Sequence, residues 1–431
     1  MKKIFALLLA AGMLFSLAGC SELDALMNEL PPLPTETVMT PEPTVTPTPT
    51  PEPTPEPTPE PVAAETERIQ VYLKKTDHVS YAPDDENQVI LNFSYVTPSV
   101  RIDSNPEAAA AISEELNLMD ELFYTGTEDG GGLNNLLEMA LDNYSYVKET
   151  GAEAGVEFSD ARTVTVVRAD GAVISFLYQT SSYYGGAHGL YGYTGENFDS
   201  VSGKRLYLEE LSDDTEALKS VLTAAIIEEA KADATLYEEI SGFCQDADAS
   251  LAALVREGSW YFDGNGMVFI PTLYELCSYA SGIHTFTVSY EKLRGVIDER
   301  FLPAERAAAG EWSVCRLSEA EDGTVESIDK LVVDNGGEEI YLIAVGTLYD
   351  VSISTVEYVD AGRRFYDKDS YWYASSMTDC ALQLAVTIPD GMPELMIRYT
   401  DENRAEHRLL LSDSGEDGRV ILVDDSIEAV G

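Results

Sequence analysis

Four histidines, His78, His188, His284 and His407, and five cysteines carry most of the nucleophilic and metal-binding chemistry this chain could perform. The histidines are isolated. No H-E-x-x-H or H-x-x-x-H puts two imidazoles on one helix face, and Cys20, Cys244, Cys277, Cys315 and Cys380 form no C-x-x-C pair. A zinc or iron site built from a contiguous motif is therefore excluded, and only a cluster assembled by folding stays open. No metal and no cofactor is expected. A G-x-S-x-G elbow, a phosphate-binding loop and a dinucleotide fingerprint are also missing. "DGNG", residues 263–266, lacks the spaced acids and closing glutamate of a calcium loop and reads as a hairpin turn.

Carboxylates are abundant, 76 Asp plus Glu against 27 Lys plus Arg, so a pair suited to glycoside hydrolysis can always be picked out and means little. Glu275, in "PTLYELCSYASG" between Tyr274 and Tyr279, is the acid in the most aromatic and apolar setting, where its pKa could rise. The simpler reading is an acid that caps or holds a turn.

"SSYYGGAHGLYGYTGENFD", Ser181 to Asp199, gathers four tyrosines, five glycines and one histidine in nineteen residues. Catalysis would need a nucleophile or a second general acid beside His188, and the stretch supplies neither. Tyrosines on a glycine-permitted loop give rigid amphipathic contact area for a protein or carbohydrate surface. As structure alone, Gly185, Gly186 and Gly189 permit backbone angles or close packing that other residues resist. The residue types favour structure first and recognition second, with Tyr183, Tyr184, Tyr191, Tyr193 and His188 as the candidate contacts and no residue assigned a catalytic role.

The elements that must position these residues form an α+β pattern. "IQVYLKK" and "NQVILNFSYVTPSV" read as strands. Asn105 then offers an N-cap, with Pro106 at the first helical position and Ile112, Leu116, Met119 and Phe123 on one stripe. A second helix carries Leu133, Leu136, Leu137, Ala140, Tyr144 and Val147. "ARTVTVVRADGAVISFLYQTSS" predicts a hairpin around Asp170-Gly171, a dipeptide suited to a primed turn. "DSVSGKRLYLEEL" predicts another turn and strand, residues 213–231 and 247–257 predict helices, "SWYFDGNGMVFI" a hairpin, and "IHTFTVSYEKL" a final strand. Residues 298–311 read as a connector. From Trp312 onward only short strands and turns follow, which predicts a small β-sandwich over residues 312–431.

The formal net charge of −49 opposes phosphate backbones, so nucleic acid is excluded as a partner, while a cationic partner would be steered in. Lys2, Lys3 and the sixteen-residue apolar run "IFALLLAAGMLFSLAG" predict a signal peptide, residues 1–19. "LAGC" resembles a bacterial lipobox, so Cys20 is the expected lipidation site and the membrane anchor on the outer face of the cell. Thirteen prolines between Pro31 and Pro61 make residues 20–65 a polyproline stalk. Disulfides Cys244–Cys277 and Cys315–Cys380 and isolated buried thiols are equally compatible with the spacing.

"YYGGAHGLYGYTGENFDSVSGKRLYLEEL", residues 183–211, and "WYFDGNGMVFIPTLYELCSYASGIHTFTVSYEKL", residues 260–293, resemble two signatures of an extracytoplasmic domain pair shared by RsiV-type anti-sigma factors and PdaC-type peptidoglycan deacetylases. The first matches Y-x-G-G-A-H-G followed by N-x-D-x-x-T/S-G-K, the second an aromatic hairpin leading into Y-E-I-x-P-Y-A-x-G. The resemblance covers roughly residues 66–297, dividing into modules at 66–200 and 201–297. It implies a surface module of a Gram-positive bacterium, since the external part of RsiV receives lysozyme and that of PdaC accompanies a catalytic domain. Ser278 stands where the family has proline, and the paired aspartates and H-x-x-x-H of the deacetylase domain have no counterpart.

Together these features predict a monomeric, lipid-anchored, non-catalytic binding protein of the envelope, its ligand a cationic protein such as a lysozyme or the cell-wall glycan. The rivals are a peptidoglycan hydrolase or deacetylase with an unrecognised site, and a passive envelope component.

Overall fold

The computed structural model describes residues 68–127, 130–152, 157–316, 328–332, 338–359, 364–386, 395–413, 420–424 and 428–429. The expected signal segment, Cys20 and the proline stalk lie outside the described residues. Among the described residues, no helix is long and apolar enough to cross a membrane.

Strands β1 (Ile69–Ala82) and β2 (Asp85–Ile102) form a long antiparallel hairpin, in register from Ile69 opposite Ile102 to Ser80 opposite Leu91. Helix α1 (Pro106–Thr125) starts as the sequence predicts: the Asn105 side chain accepts from the Ala108 amide at 3.2 Å, and Pro106 needs no partner for a missing N–H. Its Ile112 and Leu116 are buried against β1 and β2 beside Ile69, Val71 and Val100. Helix α2 (Leu133–Thr150) sets Leu136 and Ala140 against Phe93 and Phe158. The chain then returns parallel to β2 as β3 (Phe158–Ala169) and turns back as β4 (Val173–Tyr183).

The turn between β3 and β4 is not the primed type expected of Asp170-Gly171, since neither residue takes a positive φ. Asp170 Oδ1 instead accepts from the amides of Ala172 and Val173, both at 3.0 Å, so the side chain makes the turn. A second difference is larger. Residues 190–199 form a strand, β5 (Leu190–Asp199), paired along the whole of β4 from Val173 opposite Asp199 to Ser182 opposite Leu190. Gly192 and Gly195 conceal it in the sequence by weakening local β preference.

The strand expected within residues 200–211 is reduced to one bridge, Phe198 with Arg205, and a short 3₁₀ turn at Leu208–Glu210. Helices α3 (Thr215–Ala232), α4 (Ala234–Phe243) and α5 (Ala247–Ala252) follow, α4 being an addition to the two helices the sequence predicts here. Each begins on an aspartate, Asp214, Asp233 or Asp246, whose carboxylate accepts amide hydrogens of the first turn. Part of the acidity of the chain is thus used to satisfy helix N-termini, where negative charge is also favoured by the helix dipole. Asp233 ends α3 and starts α4 in the same residue. The apolar stripe Leu218, Leu222, Ala225 and Ile226 packs on the three-stranded sheet β6 (Trp260–Phe262), β7 (Gly266–Phe269) and β8 (Phe286–Ser289). Helix α6 (Tyr290–Leu293) closes this part. Full burial of each large aliphatic side chain contributes about 1.5–3 kcal/mol.

The C-terminal region consists of β9 (Glu311–Arg316), β10 (Ile328–Val332), β11 (Glu338–Val345), β12 (Thr347–Val359), β13 (Arg364–Thr378), β14 (Ala381–Val386), β15 (Leu395–Thr400), β16 (Glu406–Asp413), β17 (Val420–Asp424) and β18 (Glu428–Ala429). Two sheets face each other. Leu342, Ala344, Leu382 and Leu384 of one pack on Val351, Ile353, Trp372, Ala374 and Ile397 of the other. The fold is α+β with a sandwich-like all-β C-terminal part. One of its sheets continues into the first half of the chain: β13 pairs antiparallel with β1 at Gln70–Tyr72, giving the order β17-β16-β15-β12-β13-β1-β2-β3-β4-β5. At that seam the Ser375 hydroxyl accepts from the Ile69 amide at 2.9 Å, and Trp372 Nε1 donates to Gln70 Oε1 at 3.3 Å.

Candidate functional site

The two stretches chosen from the sequence meet in space. The sharp turn between β4 and β5 uses Gly185 at φ +83° and Gly186 at φ +115°, angles that cost a side-chain-bearing residue about 1–2 kcal/mol. Gly189 has an ordinary φ but faces backbone: a Cβ there would lie 2.8 Å from the Ser182 carbonyl oxygen. These three glycines shape the loop, and what the loop presents is His188.

The His188 ring stacks on Tyr279, with centroids 4.0 Å apart and planes 28° from parallel. Tyr279 opens a 3₁₀ turn, Tyr279–Ser281, in the segment between β7 and β8. Tyr191, on the exposed half of β5, meets the edge of Tyr279 at 6.0 Å and Tyr193 at 6.3 Å, both edge-to-face. Tyr274 completes the group, its ring 6.0 Å from Tyr279 and its hydroxyl 3.5 Å from His188 Nε2. His188, Tyr191, Tyr274 and Tyr279 form one aromatic surface, with Leu190 at 52% and Tyr274 at 46% exposure.

Tyr274 sits at φ +66°, one of four described non-glycine residues with a positive φ. A bulky residue held there stores about 1–3 kcal/mol of backbone strain. Its neighbour Glu275 supplies the restraint. The Glu275 carboxylate binds Arg256 in a two-pronged pair at 2.7 and 2.8 Å and accepts from the Thr272 amide at 2.7 Å. Glu275 therefore holds a turn, the simpler of the two readings its sequence setting allowed.

The other tyrosines of the signature point elsewhere. Tyr183 donates to the Gly186 carbonyl at 3.1 Å, and Tyr184 donates to Asp160 Oδ2 at 2.8 Å while its ring lies against Phe158. Burial pushes the Asp160 carboxyl above its ordinary range against the pull of Tyr184 and Arg162, and burial beside Asp160 raises Tyr184 as well. Tyr193 packs with Tyr261, Val268, Ile270 and Ile283, and burial raises its phenol.

Asn197 and Asp199, the asparagine and aspartate of the N-x-D signature, are structural. Asn197 Oδ1 accepts from Ser175 Oγ at 2.7 Å and the Phe262 amide at 3.2 Å, and Nδ2 donates to the Trp260 carbonyl at 3.0 Å. This one side chain joins β4, β5 and β6. Asp199 accepts from the Val201 and Ser202 amides and from Arg300 Nη1 at 2.6 Å. Burial would raise its carboxyl, but the Ser202 amide and Arg300 outweigh it and hold it below its ordinary value. Arg168, buried beneath these strands, donates to Asp170, Tyr290 and the Phe301 carbonyl.

The site has the geometry of a contact surface. His188 meets a carbonyl, Gly189 O at 2.9 Å, and a tyrosine; among the described residues no carboxylate or nucleophile hydrogen-bonds it. A metal-capable grouping that the sequence did not reveal lies nearby: Glu239, Cys277 and His284 bring one donor atom each within 4.8 Å of the others. Cys244 and Cys277 are free thiols. The side chain of Cys315 lies outside the described residues.

By sequence, no protein-family profile and no curated protein matches the chain. By structure, it is similar to a crystal structure of a DUF3298 family member from Bacteroides fragilis, with a TM-score of 0.41 and 14% identity over 53% of this chain and 94% of that one. It is also similar to a crystal structure of a DUF3298 family protein from Pseudomonas aeruginosa, with a TM-score of 0.39 and 14% identity over 54% of this chain and 96% of that one. The structural neighbours of the chain are thus DUF3298 family proteins.

Proposed function

We propose that the chain is an envelope-associated binding module, anchored through lipid on Cys20, whose aromatic surface of His188, Tyr191, Tyr274 and Tyr279 takes a cationic protein such as a lysozyme. The observation that carries the reading is the convergence of two distant segments on one exposed aromatic group, with Tyr274 held in a strained conformation to complete it. Rings of this kind give a large contact area for little lost side-chain freedom, and they accept cations on their faces. A net charge of −49 adds long-range attraction for a basic partner. The family resemblance of the signature segments to RsiV-type receptors and PdaC-type accessory regions agrees with this role.

The test is a titration of the full chain with lysozyme at low and raised salt, beside a sedimentation assay with purified peptidoglycan. Binding to lysozyme that weakens with salt and falls in Tyr279→Ala supports the proposal. Binding to peptidoglycan alone would move the ligand to the glycan. Release of peptidoglycan products, lost in His188→Ala, would replace the module by an enzyme.

A further inference from the structure

We propose that Glu239, Cys277 and His284 form a binding site for a divalent transition metal of the zinc class, which ties helix α4 to both ends of the turn carrying Tyr279. The site does not depend on what the aromatic surface binds.

The donors come from three places in the chain. Glu239 lies on α4, Cys277 precedes the 3₁₀ turn and His284 follows it, directly ahead of β8. One carboxylate oxygen, the Cys277 Sγ and one His284 ring nitrogen all lie within 4.8 Å of one another. Zinc bonds of about 2.0–2.3 Å in a tetrahedron separate such donors by about 3.3–3.8 Å, so side-chain adjustments of roughly 1 Å close the site.

An independent observation points to a missing ligand. His284 Nε2 is buried and has no hydrogen-bond partner. A buried polar atom left without a partner is destabilising unless something binds it. Cys277 is a buried residue with 3% exposure, and Glu239, on the solvent side, accepts from the hydroxyl of Ser281, the last residue of the turn. The polar partners thus run from α4 through the turn and into its two flanks.

The donor set decides the class of metal. One thiolate, one imidazole and one carboxylate suit zinc and its transition-metal neighbours, whereas calcium and magnesium take oxygen donors only. Binding breaks the Cys277 S–H bond, releases the proton to solvent and forms the metal–sulfur bond; water fills the fourth position. Cys244, the residue that ends α4, donates its thiol to the Glu275 carbonyl at 3.5 Å and to the Leu276 carbonyl at 3.7 Å. A disulfide between Cys244 and Cys277 would consume the ligand.

The experiment uses the full chain carrying Cys244→Ser, which cannot form that disulfide, reduced and stripped of metal by a chelator. Zinc is titrated calorimetrically and cobalt by absorption. The expected result is one metal per chain and a thiolate-to-cobalt charge-transfer band. Cys277→Ser should abolish the band, and His284→Ala and Glu239→Gln should each weaken zinc binding by about a hundredfold or more. Glu239 is exposed, so its variant keeps the fold and stays informative if the two buried substitutions unfold the chain. Absence of stoichiometric zinc uptake by the folded Cys244→Ser protein, or uptake unchanged by all three substitutions, overturns the proposal.

Discussion

The imidazole of His188 lies on the ring of Tyr279 at 4.0 Å, joining the loop between β4 and β5 to the segment between β7 and β8. Neither ring is part of a large apolar core, so the contact is made at the surface, where a ligand can reach it.

Replacing Tyr279 by alanine removes the ring on which His188, Tyr191 and Tyr274 converge. Ligand affinity should fall about tenfold or more, as for a central aromatic contact. Thermal unfolding should shift only slightly because the group is half-exposed. Calorimetric titration and thermal melts on the same preparation separate the two effects.

Tyr274→Gly should act in opposite directions on stability and binding. Glycine at φ +66° removes the strain and should stabilise the chain by up to about 1 kcal/mol, while the loss of the ring weakens ligand binding. Urea unfolding and the lysozyme titration report each arm; a variant destabilised as well as weak in binding would show that the conformation is not strained.

Asn197→Ala leaves the Ser175 hydroxyl, the Trp260 carbonyl and the Phe262 amide without this side-chain partner. Loss of about 3 kcal/mol or more is expected from three buried groups that lose it. The midpoint of urea unfolding should fall with little change in slope.

Asp199 has a carboxyl held below its ordinary value in the fold, so its ionised form stabilises the native state. That contribution is fully present above the unfolded pKa of about 4 and is lost as pH falls through the lower folded value. Asp199→Asn should therefore be less stable than the parent at pH 6 and should approach it near pH 3. Glu196 and Asp160, raised by burial, shift the acid limb the other way in both proteins, so the informative quantity is the difference between them.

Arg306 reaches from the connector to Asp350 Oδ2 at 2.6 Å and Thr400 Oγ1 at 2.7 Å. Arg306→Ala should cost about 2 kcal/mol, moderated because Asp350 still accepts from Tyr373 and Thr400. A chain lacking residues 304–431 should fare worse. It would leave β1 as an open edge over Gln70–Tyr72, stripped of the β13 ladder, and gel filtration should find aggregates.

Local signals were legible wherever one residue decides an element. Asn105 with Pro106 began α1, and the alternation after Ala161 marked β3 and β4. Glycine made β5 look like a loop, although half of it, Gly195–Asp199, is buried. Helix α4 shares its capping residue with α3, which leaves no loop to announce it. The aromatic residues of the site were recognisable by type, but their convergence depends on β4 and β5 being joined through Asn197 to β6, which pairs with β7. His284 had no local partner in sequence; its orphaned nitrogen appears only once Glu239 and Cys277 are placed around it. Nor does any local pattern reveal that β1 pairs with β13, although buried Gln70 in an otherwise apolar strand start is a trace of that seam.

The position of β1 also has a mechanical consequence. The chain ahead of Arg68 enters the described fold at a strand flanked on both sides, by β2 and by β13, over Gln70–Tyr72. A pull along that chain cannot peel a free border one hydrogen bond at a time; it must slide β1 against two ladders at once. A tether joined there, as a lipid-anchored stalk would be, transmits shear into the middle of the sheet and leaves the aromatic surface beyond β4 out of the path of the force.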